Sequence, residues 1–209
     1  MALRSPRAFF DAARASLFHG VTNQAQVDGI NAILDAWDEA FPTGSDIRFV
    51  AYALATVFHE TAETMIPVPE IGHGAGHPYG RRIPPYNQAY YGRGLVQLTW
   101  AYNYHWADAE LHTSGILTSE ESLMTTPDLA LRSDVAAEIM IVGMTQGRFT
   151  KRRLADYFTP HSTDWFHARE IINGLNKAST IASYGERFWT ALRASGWEPR
   201  EPRVAIKTG

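Results

Sequence analysis

The clearest hydrophobic pattern of this chain lies between residues 23 and 60. Asn23 and Gln26 have the spacing of a capping box, and the apolar residues that follow recur every three or four positions. After a Pro-x-Gly break, a second apolar run can be capped by Ser45 or Asp46 and has almost no polar face. The pattern predicts an amphipathic helix and then a helix that is buried on most sides and ends near Glu60.

The rest of the chain predicts shorter elements around one long loop. Residues 67–85 are too rich in proline and glycine for a regular element, so they predict a functional loop with short strands beside it. The other predicted elements are helices over 134–144, 151–158, 164–172 and 185–194, and a frayed tail over 198–209. We therefore expect a mostly α, lysozyme-like α+β fold: one catalytic domain over residues 1–197, two-lobed around a cleft, with at most a small β-hairpin.

Composition narrows the function classes. With 209 residues and 45% apolar content, the chain can bury one substantial core. The absence of cysteine suits synthesis in a reducing cytoplasm. A net charge of −3 argues against a mainly electrostatic nucleic-acid partner, and the local basic cluster is predicted to be a solvated face. That cluster consists of Arg148, Lys151, Arg152 and Arg153.

No secretory or membrane segment is predicted. The first twenty residues lack an uninterrupted apolar run long enough for a secretory signal, because Asp11, Arg14 and Ser16 interrupt it. No later window reaches the length needed to span a bilayer. We therefore expect no stable membrane insertion.

Two carboxylates are candidates for acid–base chemistry. At the C-terminal end of a buried helix, Glu60 would meet desolvation and the negative end of the helix dipole, and both favour the protonated form that a general acid needs. The alternative is that Glu60 only caps a helix end at the surface.

Glu70 follows two prolines, so it must reach the same place from a loop, where a carboxylate can stay solvated and charged. One neutral and one charged carboxylate is the arrangement that glycoside hydrolysis uses. Glu63 competes with Glu70, but it lies one helical turn from Glu60 and leaves no room for water between the carboxyl groups.

Residues 90–104 combine glycines, neutral polar groups and aromatic rings. Gln97, Thr99 and Asn103 offer hydrogen-bond donors and acceptors beside faces on which a sugar can stack. The aromatic residues can also be core residues, and the Gly-Arg-Gly turn can be structural, with Arg93 bridging loop carbonyls or a carboxylate. The mixture indicates a saccharide-binding surface.

This stretch resembles the signature of glycoside hydrolase family 19, the lysozyme-like chitinases and the phage endolysins related to them. His59-Glu60-Thr61 resembles the family's motif at the end of a core helix, and residues 67–72 resemble its Pro-x-x-Glu-Tyr-Gly segment, with Ile71 in place of the aromatic residue. Residues 168–176 are similar to its Arg-x-Ile-Asn-Gly segment. The similarity runs from about residue 24 to residue 193.

The resemblance implies roles for individual residues. Glu60 is the expected general acid, Glu70 the general base, and Thr99 the hydroxyl residue that holds the attacking water. The expected substrate-binding residues are His59, Tyr91, Arg93, Gln97, Trp100, Asn103, Arg169 and Asn173. We expect no metal and no cofactor, since the sequence around His59 lacks the second histidine of a zinc-protease helix. His73 and His77 are expected to be exposed loop histidines.

The predicted activity is inverting hydrolysis of β-1,4 bonds in an N-acetylated amino-sugar polymer. Peptidoglycan is the expected substrate and partner, and chitin is the alternative, because both carry this linkage. We expect an endolysin-type monomer that is made in the cytoplasm of a bacterial host and acts in the periplasm or cell wall after a holin-type partner opens the membrane. A non-catalytic saccharide-binding module and a nucleic-acid-binding helical protein are the hypotheses from other classes.

Overall fold

The computed structural model describes residues 3–197, and within that part of the chain the fold is mostly α. Its α-helices are α1 (Pro6–Ser16), α2 (Gln24–Ala40), α3 (Ile47–Glu60), α4 (Ala101–Thr113), α5 (Ser133–Gln146), α6 (Leu154–Tyr157) and α7 (Ala178–Ala194). Two short antiparallel strand pairs accompany them: β1 (Val68–Pro69) with β2 (Arg93–Gly94), and β3 (Phe158–Thr159) with β4 (Ser162–Thr163). The predicted fold class is confirmed. The predicted tail over 198–209 lies outside the described residues.

Side-chain caps fix where α2 and α3 begin. Asn23 and Gln26 form the predicted capping box, each side chain accepting from the other's backbone N–H at 2.9 Å. Of the two candidate caps for α3, Asp46 is the one used, because its carboxylate accepts from the backbone N–H of Arg48 at 2.9 Å. Ser45 instead accepts from the indole N–H of Trp37 at 2.8 Å.

The centre of the core is α3. Every residue from position 50 to position 58 is buried, as the apolar pattern predicts. Helix α7 packs along α3 and is covered on another side by α1, while α2 and α5 pack against each other and also reach α3. At the end of α3, the ring of Phe58 makes edge contacts with Phe18, Tyr184 and Phe188. This dense packing fixes the position of Glu60, the last residue of α3.

The pairing of β1 with β2 attaches the long loop to the Gly-Arg-Gly turn. Val68 lies opposite Gly94, and Pro69 lies opposite Arg93. Beyond the strands, the backbone N–H of Glu70 donates to the carbonyl of Gly92 at 2.7 Å. Two segments more than twenty residues apart are therefore held side by side, and Glu70 lies at their junction.

Three predicted helices differ from the structure. Of 151–158, only Leu154–Tyr157 is helical, because the next two residues form β3 and pair with β4. Over 164–172, the structure has a short 3₁₀-helix, His167–Ile171. The last helix begins at Ala178, about two turns before the predicted start at 185. The helices α1 and α4 were not predicted. No helix within residues 3–197 is long and apolar enough to cross a membrane.

Candidate active site

A cavity of about 420 Å³ opens at the end of α3 and gathers residues from distant parts of the chain. Glu60 lies on one side, the 96–103 stretch forms a wall, and residues 149–150 and 172–174 close the remainder. Seven predicted site residues line it, namely Glu60, Gln97, Thr99, Trp100, Asn103, Arg169 and Asn173. Four others do not: His59, Glu70, Tyr91 and Arg93.

Glu60 is paired with an arginine in the cavity. The guanidinium of Arg169 donates to Glu60 Oε1 at 2.7 Å, and its Nε donates to the carbonyl of Asn176 at 3.3 Å. Both side chains are largely buried, with 16% of Glu60 and 8% of Arg169 exposed. The sequence predicted the dry position of Glu60 but not this partner. The contact therefore places a guanidinium directly beside the carboxyl group at the end of α3, in a charge-assisted hydrogen bond.

The polar residues of the signature form a chain of hydrogen bonds. The amide of Gln97 donates to the carbonyl of Val68 at 3.0 Å, the hydroxyl of Thr99 donates to the carbonyl of Gln97 at 2.8 Å, and the amide of Asn103 donates to the carbonyl of Thr99 at 2.8 Å. Gln97 and Trp100 have left-handed backbones, with φ of 54° and 76°. Such conformations cost free energy in residues other than glycine and are concentrated at functional sites. The Thr99 hydroxyl, whose proton is already donated, is left as an acceptor towards the cavity.

Glu70 lies directly behind this wall. Its Oε1 accepts from the phenol of Tyr79 at 3.0 Å, and its Oε2 accepts from the backbone N–H of Gly92 at 2.9 Å. A Cβ at position 92 would lie 3.3 Å from both Glu70 Cβ and Thr99 Oγ1, so the two side chains are close neighbours. Burial, and then the hydrogen bond to Glu70, raise the pKa of Tyr79 above its usual value. Glu70 is half-buried; the sequence predicted that a loop carboxylate here can stay solvated and charged, but it did not predict these two hydrogen-bond donors.

His59 precedes Glu60 and lies beside the cavity without lining it. Burial lowers the pKa of His59, the charge of Glu60 raises it, and the positive charges of Arg169 and Lys177 lower it further. The net shift is downward from the ordinary value of 6.5, so the imidazole is neutral at pH 7. As a neutral group, His59 can offer the site a hydrogen bond but no charge.

Tyr91 and Arg93 face a second cavity, of about 580 Å³. The guanidinium of Arg93 is 5% exposed; it donates to Asp128 at 2.7 Å and to the phenol of Tyr104 at 3.0 Å, and its Cζ lies 3.5 Å from the centre of the Tyr91 ring. His73 stacks on the same ring at 4.7 Å. The donors of Arg93 are thus engaged within the protein, as in the structural alternative considered for the Gly-Arg-Gly turn.

Exposed aromatic rings lie at the mouth of the first cavity. Trp100 and Tyr102 stack with their centroids 6.3 Å apart and are 40% and 65% exposed. Tyr79 meets the edge of Trp100, and His77 stacks on Tyr79. Neither Tyr102 nor Tyr79 is among the substrate-binding residues that were expected from the sequence. The i, i+2 spacing of two aromatic residues in a polar stretch was the available signal for Tyr102, whereas nothing local pairs Tyr79 with Glu70.

The long loop carries two histidines, His73 and His77. His73 and His77 are exposed, as predicted, and each stacks on a tyrosine ring. Within residues 3–197, no group of three or more His, Asp or Glu side chains is arranged to hold a metal ion.

Two solved structures share this architecture. One is a chitinase C variant with a glutamate-to-glutamine substitution; it is 22% identical, has a TM-score of 0.51, and the match covers 96% of this chain and 97% of that one. The other is a family GH19 class IV chitinase from Zea mays, 18% identical, with a TM-score of 0.54 and coverage of 92% and 96%. The chain has the fold of the family 19 chitinases. Neither a protein-family model nor a curated protein sequence matches it.

The family 19 fold assembles this site from stretches that are far apart in the sequence. Helix α3 supplies Glu60, the 3₁₀-helix near position 169 supplies its arginine, and the β1–β2 junction holds Glu70. The arrangement offers one largely buried carboxylate, one hydrogen-bonded carboxylate, a free acceptor on Thr99 and stacking surfaces. Those are the groups required for acid–base cleavage of a glycosidic bond.

Proposed function

We propose that this protein is a glycoside hydrolase that cleaves β-1,4 bonds of an N-acetylated amino-sugar polymer with inversion. The observation that carries the proposal is the convergence of Glu60, Thr99 and Arg169 on one cavity, with Glu70 fixed directly behind Thr99. A non-catalytic binding module has no need for a largely buried carboxylate that is paired with an arginine at the end of a core helix.

In the proposed reaction, Glu60 gives its proton to the glycosidic oxygen as the bond from that oxygen to the anomeric carbon breaks. Water, held by the acceptor oxygen of Thr99, attacks the anomeric carbon from the opposite face and transfers a proton to Glu70. Arg169 stabilises the carboxylate that forms on Glu60. Since the attack comes from the far face, the product has the inverted configuration.

We propose peptidoglycan as the substrate, in the setting of phage-type lysis. The support comes from the resemblance to phage endolysins around Glu70 and from the absence of cysteine, which suits a protein stored in a reducing cytoplasm. In this setting, a monomer reaches the wall once a partner has opened the membrane. Chitin is the second candidate, because both solved structures with this fold are chitinases.

Replacement of Glu60 by Gln tests the reaction. The amide keeps an oxygen for Arg169 but has no proton to give at neutral pH, so release of reducing ends should fall by roughly two to four orders of magnitude. Glu63→Gln is the matched control: its carboxylate is 43% exposed, lies 3.8 Å from His19, and is absent from the cavity lining. An active Glu60→Gln enzyme, or an equal loss in Glu63→Gln, contradicts the assignment.

Product analysis tests the substrate. Mass spectrometry of the fragments from purified peptidoglycan should show muropeptides cut between the two amino sugars, and NMR of the first product should show the inverted anomer. Activity on colloidal chitin together with inactivity on peptidoglycan would reverse the preference between the two substrates while leaving the mechanism in place.

A further inference from the structure

Within the part of the chain that the structure describes, the basic cluster of residues 148–153 contains cations that are paired with carboxylates and cations that are not. Arg148 donates to Glu110 at 3.3 Å, and Arg153 donates to Asp156 at 3.3 Å. These two guanidinium groups are therefore neutralised by carboxylates of the protein itself. The two residues between them behave differently.

Lys151 and Arg152 are exposed, and no carboxylate within residues 3–197 lies at ion-pair distance from either. They directly follow Phe149 and Thr150, which line the first cavity. Because consecutive Cα atoms are about 3.8 Å apart, the backbone of both residues lies within about 8 Å of a residue that lines the cavity. Two unpaired cations thus border the site proposed for catalysis.

The segment that carries them is fixed to the cavity wall. The ring of Phe149 covers Gly143 so closely that a Cβ there would lie 2.0 Å from it, and it packs against Trp106 at 5.7 Å. The hydroxyl of Thr150 donates to the carbonyl of Glu170 at 2.7 Å, and the N–H of Lys151 donates to the carbonyl of Gly147 at 2.8 Å. The backbone therefore presents both cations at a defined place.

Neither Lys151 nor Arg152 is held in an ion pair within residues 3–197, so both cations are available to a ligand. The chain as a whole has a formal charge of −3, so it repels an anionic polymer at long range. Cations at the rim offset this repulsion locally. They increase the affinity only for a ligand that carries negative charge near the bond that is cut.

We propose that Lys151 and Arg152 bind the carboxylates of the peptide side chains that peptidoglycan carries on alternate sugars. Chitin has the same linkage and the same N-acetyl group but no such carboxylates. The two residues are therefore determinants of specificity that favour peptidoglycan over chitin. This inference rests on the proposed function for its substrate class.

The test measures binding in the full-length Glu60→Gln protein, so that no bond is cut during the measurement. Sedimentation with purified peptidoglycan sacculi gives the dissociation constant with and without the added pair Lys151→Gln/Arg152→Gln. A matched control carries Arg7→Gln/Arg14→Gln, which removes the same charge from α1, a helix that contributes nothing to the cavity. Each protein is also measured on sacculi whose carboxyl groups have been converted to amides, and on a neutral chitin hexasaccharide.

We expect the Lys151→Gln/Arg152→Gln pair to weaken binding to untreated sacculi by roughly 3–10-fold at low salt, the magnitude of two exposed ion pairs. The loss should vanish at about 1 M salt, where the Debye length is about 3 Å. Amidated sacculi and the hexasaccharide should bind all three proteins equally. An unchanged dissociation constant on untreated sacculi, or the same loss on amidated sacculi, overturns the inference.

Release of reducing ends by the wild-type protein, measured beside the binding constants, separates this inference from the proposed function. If the wild-type protein releases reducing ends from neither peptidoglycan nor chitin while the charge-dependent binding persists, the hydrolase proposal fails and the carboxylate contact stands. If the wild-type protein cleaves peptidoglycan but the binding constants are indifferent to Lys151 and Arg152, the contact fails and the hydrolase stands.

Discussion

The guanidinium of Arg169 lies 2.7 Å from a carboxylate oxygen of Glu60, although the two residues are 109 positions apart in the sequence. The contact joins the end of the central helix α3 to the short 3₁₀-helix His167–Ile171. Both side chains of this pair are largely buried, with 16% of Glu60 and 8% of Arg169 exposed.

Removal of this arginine should lower both turnover and stability. In Arg169→Ala, Glu60 keeps its position but loses the group that stabilises its charge after proton transfer, so kcat should fall by roughly 100-fold. The unfolding free energy should fall by about 1–3 kcal/mol, since a largely buried carboxylate is left without its donor. Steady-state kinetics and denaturant unfolding measure the two effects. Arg169→Lys should recover part of each, and full activity in Arg169→Ala would exclude this role.

Gly92 lies between the side chain of Glu70 and those of Gln97 and Thr99 in the cavity wall. A methyl group there would stand 2.8 Å from Gln97 Oε1 and 3.3 Å from Thr99 Oγ1. We therefore expect Gly92→Ala to displace these side chains and to lower kcat by roughly tenfold, with a loss of stability of about 1–3 kcal/mol. Kinetics and thermal unfolding, measured on the same preparation, check this. A variant with unchanged kcat would place Glu70 and Thr99 outside the reaction.

The pH dependence of stability should contain a contribution from His59. Its folded-state pKa is lowered, chiefly by burial, so the unfolded chain binds more protons in the range just below 6.5. The unfolding free energy should therefore rise with pH through that range and lose this dependence above it. The difference between wild type and His59→Gln, measured by denaturant unfolding at several pH values, isolates the effect. A difference that falls as pH rises would have the wrong sign.

Glu138 lines a cavity other than the one that contains Glu60, and it provides a test of the electrostatics of the fold. Burial, and then the charge of Glu110, raise the pKa of Glu138 above its ordinary 4.5. Its charged form is thus disfavoured in the folded state, and Glu138→Gln should be more stable than wild type at pH 7. The advantage should disappear below pH 4.5, where the carboxyl is protonated in both states. Thermal unfolding at pH 4 and pH 7 measures it, and a variant less stable at pH 7 would show that the carboxylate has a favourable partner.

The sequence predictions were accurate where the interactions that determine the structure join residues close together in the chain. The cap of α2 and the bounds of α3 were predicted well, because side chains within three residues of each other form the caps and the apolar pattern is strong. Helix α4 was missed although Tyr104, Ala107 and Leu111 give it a buried stripe of helical spacing. Trp100, immediately before α4, has a left-handed backbone. The spacing of apolar residues gives no indication of such a conformation, so it did not mark the start of the helix.

The segments predicted wrongly depend on partners elsewhere in the chain. The helix ends at Tyr157 because Phe158 pairs with Thr163 in a strand pair. The amphipathic pattern of residues 151–158 favours a helix, and nothing in that pattern indicates the strand pairing. The hydrogen-bond donors to Glu70 could not be predicted either, because Tyr79 and the backbone of Gly92 meet it only through the fold.

The sequence by itself determined the mostly α class, the central buried helix that ends at Glu60, and the candidates for the two carboxylates, because periodicity and capping act within a few residues. The tertiary structure decided which groups meet those carboxylates: Arg169 at Glu60, Tyr79 and Gly92 at Glu70, and the separation of Lys151 and Arg152 from their paired neighbours. These contacts join segments whose encounter depends on the packing of the whole chain, and the charge of a buried group is set by its neighbours in space.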